Sequence, residues 1–386
     1  MFKYLDLISR GFNEDTKELH REMKANLTAA SELSAKLHCY LSSFQKTGRN
    51  FFVILCEIAF QNSRVLVCFW VALLLCQSVQ SQNSTQFNFT ETPPIDLLAS
   101  RTMVLHDFTF TQPELQEIQK AFQQIGIDAV AYFEMDVVMA GKDATRAFAE
   151  YFSSRQVKYL LQLEKSQSGF QFIAAPFNQK PTLFDVGAAA WRVQNVRLKD
   201  LLVTVFQDSW RSQKKQNYLV NEFPETDITI DPIKGNRQEF YAIDLKVDNL
   251  AVPKFGNETS DKELGQVFQA MYPLKYKITE AGTDEQELRK QGFHYVLCFV
   301  HTRGKAAREI LGYDTSKPET AYASITFPSG QLQLKTIPEE TEVYKFYFRH
   351  IDNGNVFLGT KWDADIQWQD ALRNHIMAFK AEAKIN

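Results

Sequence analysis

The chain has 386 residues, of which 45% are apolar and 23% are charged. This length allows two or three domains, and this composition excludes wholesale disorder, a collagen-like chain and a coiled coil. The formal net charge of −3 argues against a nucleic-acid-binding surface as the main function. The 31 phenylalanines raise the aromatic content to 13%, so a globular protein with large aromatic cores is expected.

The amino-terminal segment, residues 1–50, is rich in helix formers. A loose apolar stripe runs through it at Leu19, Met23, Leu27 and Leu33. The pattern predicts a solvated amphipathic helix, a cytoplasmic oligomerising helix, or sequence that is never translated. Nothing in the segment indicates chemistry.

An apolar run, VLVCFWVALLLC, follows Arg64 and covers residues 65–76. A positive flank, a run of about 7–15 apolar residues and a cleavage site of small residues make up a secretory signal peptide. Val79 and Ser81 suit the −3 and −1 positions, so cleavage is predicted between Ser81 and Gln82. The polar residues 82–100 then form a flexible linker.

Signal peptides stand at the start of a chain, whereas 64 residues precede this run. In a first interpretation, residues 1 to about 60 are absent from the real protein. In a second, residues 51–76 are a signal anchor that crosses the membrane, although Glu57 and the polar break at 61–64 make insertion costly. A buried soluble helix hairpin is the third. The first two interpretations both predict that the rest of the chain is exported.

The cysteines are unevenly placed, because four of the five precede residue 80 and only Cys298 follows. The exported part therefore has no intrachain disulfide. Secreted eukaryotic proteins of this size commonly carry several, so the sequence favours a bacterial envelope location. We expect a periplasmic or outer-membrane-associated protein, anchored through residues 51–76 if that segment is retained.

Residues 101–225 alternate between strand and helix patterns, which predicts a first α/β domain. The predicted strands are 103–108, 128–141, 157–165 and 169–177, and the predicted helices are 113–126, 143–155 and 198–213. The last two strands are expected to pair as a hairpin.

A linker at 226–240 precedes residues 241–386, where the same order of patterns predicts a second α/β domain. The predicted strands are 241–252, 275–279, 293–300, 322–327, 331–337 and the hairpin within 343–366, and the predicted helices are 261–272, 284–291 and 368–384. Asn353-Gly354 is a strong signal for the turn of that hairpin.

The shared order suggests an internal duplication, with Tyr159 aligned to Tyr295 and Leu161 to Leu297, and with the second copy enlarged at residues 301–321. The predicted fold class is α/β (α+β): two similar domains, each a mixed sheet covered by helices. This order of elements resembles the small bacterial envelope domains of the TolB amino-terminal type. The resemblance implies an assembly or interaction role without catalysis.

No common catalytic or nucleotide-binding motif occurs, so neither a catalytic residue, a cofactor nor a metal site is predicted. Weak candidates for a surface site are His106 and Asp107 at the end of a strand, His301 at the opening of a loop, and Asp363. Cys298 is expected to be an apolar filler of the core.

Two pairs of carboxylates alternate along predicted strands. Asp363 and Asp365 share a face, and their spacing would suit two carboxylates that bind a cation or share a proton. The position of Asp365 before the last helix instead favours a role as the cap of that helix. Glu134 and Asp136 are expected to point into solvent from a half-exposed strand.

The composition and the element order together predict a non-catalytic binding or assembly component of the bacterial envelope, with a protein partner and no nucleic acid. The alternative is a hydrolase with a site at the junction of the two domains. A pocket where carboxylates and a histidine converge at that junction would favour the enzyme, whereas an exposed apolar patch or a free sheet edge would favour partner binding.

Overall fold

A computed structural model describes residues 87–212, 220–221, 223–225, 228 and 230–385. The predicted amino-terminal helix, the apolar segment 51–76 and the cleavage site at Ser81 and Gln82 lie outside these residues. The described residues all belong to one compact unit. Within it, two sheet-bearing regions follow each other along the chain, and we name them the first half and the second half.

The first half runs from the first strand to the fourth helix. Its elements are β1 (Asn88–Thr90), β2 (Arg101–His106), α1 (Gln112–Ile125), β3 (Asp128–Glu134), α2 (Met135–Val138), α3 (Lys142–Ser154), β4 (Val157–Ser166), β5 (Gly169–Pro176), β6 (Ala189–Asn195) and α4 (Leu198–Ser212).

The second half holds the remaining strands and helices. Its elements are β7 (Arg237–Gln238), β8 (Leu250–Pro253), α5 (Glu258–Met271), β9 (Tyr276–Thr279), α6 (Glu285–Lys290), β10 (Tyr295–Arg303), α7 (Gly304–Leu311), β11 (Ala321–Thr326), β12 (Gln333–Pro338), β13 (Glu342–His350), β14 (Val356–Phe357) and α8 (Trp368–Ala383).

The two six-stranded sheets have the same topology. Their strand orders are β1-β6-β5-β4-β2-β3 and β7-β14-β13-β10-β8-β9. The sequence of parallel and antiparallel pairings across the two sheets is also the same. The structure thus confirms a mixed α/β fold in which one topology occurs twice.

The enlargement of the second half lies between β10 and β13. It consists of α7 and a separate two-stranded sheet of β11 and β12. The first half joins the corresponding strands, β4 and β5, by a tight turn at 167–168. The predicted insertion at 301–321 marks its beginning, and the β11–β12 hairpin extends it to residue 341.

Helices cover both faces of the first sheet. One face packs against α1 and α4 through a core that includes Phe122, Phe172 and Trp191. The other face packs against α3 through a core that includes Phe148 and Phe152. Burial of these large side chains is the main stabilising contribution expected for such a chain.

The second sheet packs one face against α5 and α8, with Phe268, Phe348 and Phe379 at the centre of that core. Its other face shares a core with Ala140 and Ala144 of the first half. The two halves therefore meet over apolar contacts between the start of α3 and the second sheet.

Local sequence explains where α1 begins and ends. Thr111 and Glu114 form a capping box at its start, and Gly126 ends it in the left-handed conformation at φ 94°. In α5 the side chain of Asn257 accepts from the backbone N–H groups of Thr259 and Ser260.

Three local predictions are wrong. The strand predicted over 128–141 ends at Glu134, where the helical turn α2 begins. The strand predicted over 241–252 is a 3₁₀ turn followed by the short β8. Asp365 does not cap α8, whose cap position is Gln367, because its carboxylate is held by Lys335 and by the backbone N–H of Ile366.

Candidate functional site

His106 and Asp107 lie at the carboxyl end of β2 but do not form a carboxylate–histidine pair. The His106 ring is buried, and its Nδ1 lies 2.9 Å from the Asp107 carbonyl oxygen. The Asp107 carboxylate accepts from the backbone N–H of Thr109 at 3.0 Å, which closes the turn after the strand. Both residues thus shape a loop, and His106 is not the surface residue that was predicted.

His301 lies within β10 and not at the opening of a loop as predicted, since the strand continues to Arg303. Its ring stacks on the ring of Tyr344 with centroids 3.8 Å apart. Burial lowers the pKa of His301, and Glu342, at 3.9 Å, works in the opposite direction. Its backbone N–H donates to the carbonyl of Ala140, which joins β10 to the first half.

Asp363 is the largest departure from the predicted surface site, because the structure places it in the interior with no exposed surface. Its two carboxylate oxygens face two other fully buried groups, Lys345 Nζ at 2.7 Å and His375 Nδ1 at 3.0 Å. Lys345 also donates to the carbonyl oxygens of Phe346 and Leu358. A buried charge needs such partners, since an isolated one is very costly.

The electrostatics of this cluster favour an ion pair beside a neutral histidine. Burial raises the pKa of Asp363, but the contacts with Lys345 and His375 have the larger, opposite effect. The pKa of Asp363 is therefore lowered from its ordinary value. Burial lowers the pKa of His375, and the neighbouring Lys345 lowers it further. The carboxylate facing Nδ1 fixes the hydrogen on that nitrogen, which leaves Nε2 as an acceptor with no partner among the described residues.

Tyr241 closes the cluster from the segment before β8, with its hydroxyl 3.2 Å from His375 Nδ1. Its close approach requires glycine at position 359, where a Cβ would lie 2.5 Å from the Tyr241 oxygen and where φ is +82°. A lysine, an aspartate and a histidine could in principle serve catalysis. Because all three are fully buried, they are better explained as a polar network that stabilises the second half.

The junction of the two halves contains several carboxylates, and two arginines bind them. Arg303 donates to Asp136 at 2.5 Å and to Glu340 at 2.7 Å, and it also pairs with Glu134. Its guanidinium lies over the ring of Phe108, 4.3 Å from the centroid. The prediction that Glu134 and Asp136 point into solvent is therefore wrong, because both carboxylates pair with Arg303 of the second half.

Arg349 is the second arginine of the junction and pairs with Asp143 and Glu285. Asp143, in the first turn of α3, also accepts from the Tyr347 hydroxyl at 2.6 Å and from Arg146 at 3.0 Å. Asp143 is 5% exposed. These carboxylates are thus occupied by donors from within the chain.

Cys298 lies next to this junction and is partly buried against the cores of the second half. Burial raises the pKa of its thiol well above the ordinary value, and Asp143 adds to that direction. A thiol in that state is a poor nucleophile. Among the residues that the structure describes, no group of three or more histidine, cysteine or acidic side chains could hold a metal ion.

A groove lies between α1 and α4 on the outer surface of the first half. Its lining residues are Glu117, Lys120, Ala121, Gln124 and Ile125 of α1 and Lys199, Leu202, Val203 and Phe206 of α4. Two of these residues, Val203 and Phe206, are exposed at 46% and 39% of their surfaces, and Trp210, one turn further along α4, is exposed at 56%. Their spacing of three and four residues places them in one stripe, separate from the buried face of the helix.

The second half repeats this groove between α5 and α8. Its lining residues are Glu263, Gln266, Val267, Ala270 and Met271 of α5 and Gln367, Gln369, Asp370 and Arg373 of the last helix and its cap. The five residues on α1 and the five on α5 are at the same positions of the repeated topology, each 146 residues apart.

The two grooves differ in chemistry. When the sequence of α4 is aligned with that of α8 so that Asp200 matches Asp370, Val203 corresponds to Arg373 and Trp210 corresponds to Lys380. The second half therefore has charged side chains where the first half exposes a valine and a tryptophan. The apolar stripe is a property of the first half and not of the shared fold.

Sequence reasoning did not identify this groove. It predicted the last helix of the first half over residues 198–213, but it assigned no role to Phe206 and Trp210. The sequence did contain a signal for the groove, because α4 has more apolar residues than fit on one buried face of a helix.

Comparison of the sequence with the models of known protein families and with curated proteins finds no match. In the part of the chain that the structure describes, the helices are too short or too polar to cross a membrane.

Proposed function

We propose that this protein is a non-catalytic binding or assembly component that engages a partner protein through the α1/α4 groove. The observation that supports this function is the exposed stripe of Val203, Phe206 and Trp210 beside that groove. Contiguous apolar surface on a soluble domain marks an interaction site. Tryptophan is also among the residues that contribute most to binding energy at protein interfaces.

The alternative proposal, a hydrolase at the junction of the halves, requires a carboxylate or histidine that substrate can reach. The carboxylates at the junction are instead bound by Arg303 and Arg349. The histidine near it, His301, is stacked on Tyr344. These contacts favour the binding function over the hydrolase.

We further propose that the partner is found in the bacterial cell envelope. This proposal rests on the apolar run at 65–76, the single cysteine after residue 82 and the resemblance to TolB-type envelope domains. Mass spectrometry of the native protein should find Gln82 at the amino terminus. An intact Met1 would contradict cleavage at this position.

The binding function is tested by replacing the apolar stripe with the residues of the second half. The double variant Val203→Arg, Trp210→Lys should lose at least about tenfold in affinity for a partner isolated with the wild-type protein, because truncating central aromatic anchors costs more than about 1.4 kcal/mol. The partner is purified and titrated by calorimetry, because its co-isolation with the protein does not by itself support binding at this groove.

Val186→Arg is the matched control, since Val186 is an apolar residue exposed to 90% outside the groove. It should leave the affinity unchanged. Equal binding by the wild type and the double variant, with circular dichroism showing both folded, would overturn the assignment of function to this face.

A further inference from the structure

We infer that the occupant of the α1/α4 groove is an amphipathic helix of a partner protein whose apolar stripe is bordered by acidic residues. This inference rests on the proposed function and specifies the class of partner. Three features support it: the charges at the rim of the groove, the difference in side chains from the groove of the second half, and the spacing of the exposed apolar residues.

The rim of the groove presents positive charge from both of its helices. Lys120 on α1 and Lys199 on α4 both line the groove and are exposed. Neither lysine has an ion-pair partner among the described residues. By contrast, Arg197, which directly precedes α4, is paired with Asp200 at 2.6 Å. Glu117 is the one acidic residue of the lining. The excess of lysine over glutamate complements an acidic partner.

In the second half a side-chain hydrogen bond crosses the corresponding groove. There Gln369 donates to Glu263 at 2.8 Å and joins the two helices across the groove. The corresponding residues of the first half are Lys199 and Glu117. They form no ion pair in the structure although their charges are opposite. The charged groups that line the first groove are therefore available to a partner.

The geometry of the apolar stripe specifies a helix as the occupant. Val203, Phe206 and Trp210 follow one another at intervals of three and four residues along α4, and the rings of Phe206 and Trp210 are 5.9 Å apart. A helix that lies along α4 presents its own apolar residues at the same intervals, so that each fits between two of these side chains. Recognition of amphipathic helices in grooves uses this arrangement.

The test uses two synthetic peptides of about 20 residues, a length at which helices become stable in water. Both carry leucine at positions i, i+3, i+4 and i+7 of the helix. One has glutamate at the positions that border the leucine stripe, and the other has lysine there. Binding of each fluorescein-labelled peptide to the complete protein is measured by fluorescence anisotropy.

The glutamate peptide should bind roughly 2- to 30-fold more tightly than the lysine peptide, since two exposed charge pairs distinguish the two complexes. Lys120→Glu, Lys199→Glu should reverse that order, and about 1 M salt should reduce the difference. Lys180→Glu, at an exposed lysine away from the groove, should leave the order unchanged.

Equal affinity for the two peptides would overturn the inference that the partner helix is acidic. The assignment of the docking face would still stand, because the titration of the purified partner tests that face separately. Failure of both peptides to bind would overturn the helical occupant. A concentration-dependent dimer that Val203→Arg dissociates would also overturn it, since the occupant would then be a second copy of this chain.

Discussion

Lys345 and Asp363 form an ion pair of 2.7 Å in the interior of the second half, where neither side chain has any exposed surface. Buried ion pairs rarely add net stability relative to a well-packed apolar pair, because both charges lose their hydration. If one partner is removed, however, the other charge stays buried without compensation, and the folded state is strongly destabilised. This pair connects β13 to the segment before α8, so it also fixes where the last helix is attached to the sheet.

Lys345→Met should lower the free energy of unfolding by about 3–5 kcal/mol, because it leaves the Asp363 carboxylate buried without its cation. The measurement is equilibrium unfolding in urea, followed by circular dichroism. The double variant Lys345→Met, Asp363→Leu removes both charges and should be less destabilised than the single variant.

Lys234→Met provides the control for this pair. Lys234 pairs with Glu150 at 3.1 Å, but both side chains are more than half exposed, so its removal should have little effect. A Lys345→Met variant as stable as Lys234→Met would contradict the structural role of the buried pair.

The stability of the protein should fall between pH 7 and pH 5 because of His375. Burial lowers the pKa of His375 below its ordinary value of 6.5, and Lys345 acts in the same direction. As the pH falls through 6.5, the unfolded chain takes up a proton that the folded protein resists. The unfolded state then binds more protons, so the free energy of unfolding decreases as the pH falls.

Urea unfolding at pH 7.5, 6.5 and 5.5 measures this dependence, and His375→Gln should make it shallower. His301→Gln should have a smaller effect in the same direction, since Glu342 opposes the lowering of the His301 pKa by burial. Curves for wild type and His375→Gln that stay parallel over this range would rule out His375 as the source.

The strand and helix patterns of the sequence were sufficient to predict the α/β class and the repeated order of elements. The two halves also carry a repeat at the level of single residues. Residues 117–125 read EIQKAFQQI and residues 263–271 read ELGQVFQAM, with Glu117, Phe122 and Gln123 identical to their counterparts. The structure places these segments at equivalent positions in α1 and α5, which supports the duplication.

The location of Asp363 and Lys345 could not be read from alternation along a strand. Alternation predicts that the polar residues of VYKFYF face solvent, but β13 is covered on both of its faces, so that Lys345 and its neighbour Phe346 are both buried. The contacts of Arg303 with Glu134 and Asp136 could not be predicted from the sequence either. They depend on how the two halves pack, and no local pattern encodes that packing.

Asp143 is expected to stabilise the junction of the two halves. Asp143→Ala removes the acceptor of Tyr347 and one of the two acidic partners of Arg349. We expect a loss of about 2–4 kcal/mol, because a buried guanidinium keeps only Glu285 as a partner. Hydrogen exchange should show faster exchange in β10 and β13. Asp370→Ala, which removes an exposed pair with Arg373, is the control and should leave this exchange unchanged.

Gly141 brings the start of α3 against the second sheet, and an alanine there should destabilise the protein. A Cβ at position 141 would lie 2.7 Å from the carbonyl oxygen of Phe299, and φ is +148°. Gly141→Ala should cost about 1–3 kcal/mol. Gly265→Ala, in the interior of α5 where a Cβ meets no described atom within 4 Å, should instead stabilise the protein by about 0.5–1 kcal/mol. Thermal unfolding of both variants measures this, and equal midpoints would contradict the close contact of the two halves at Phe299.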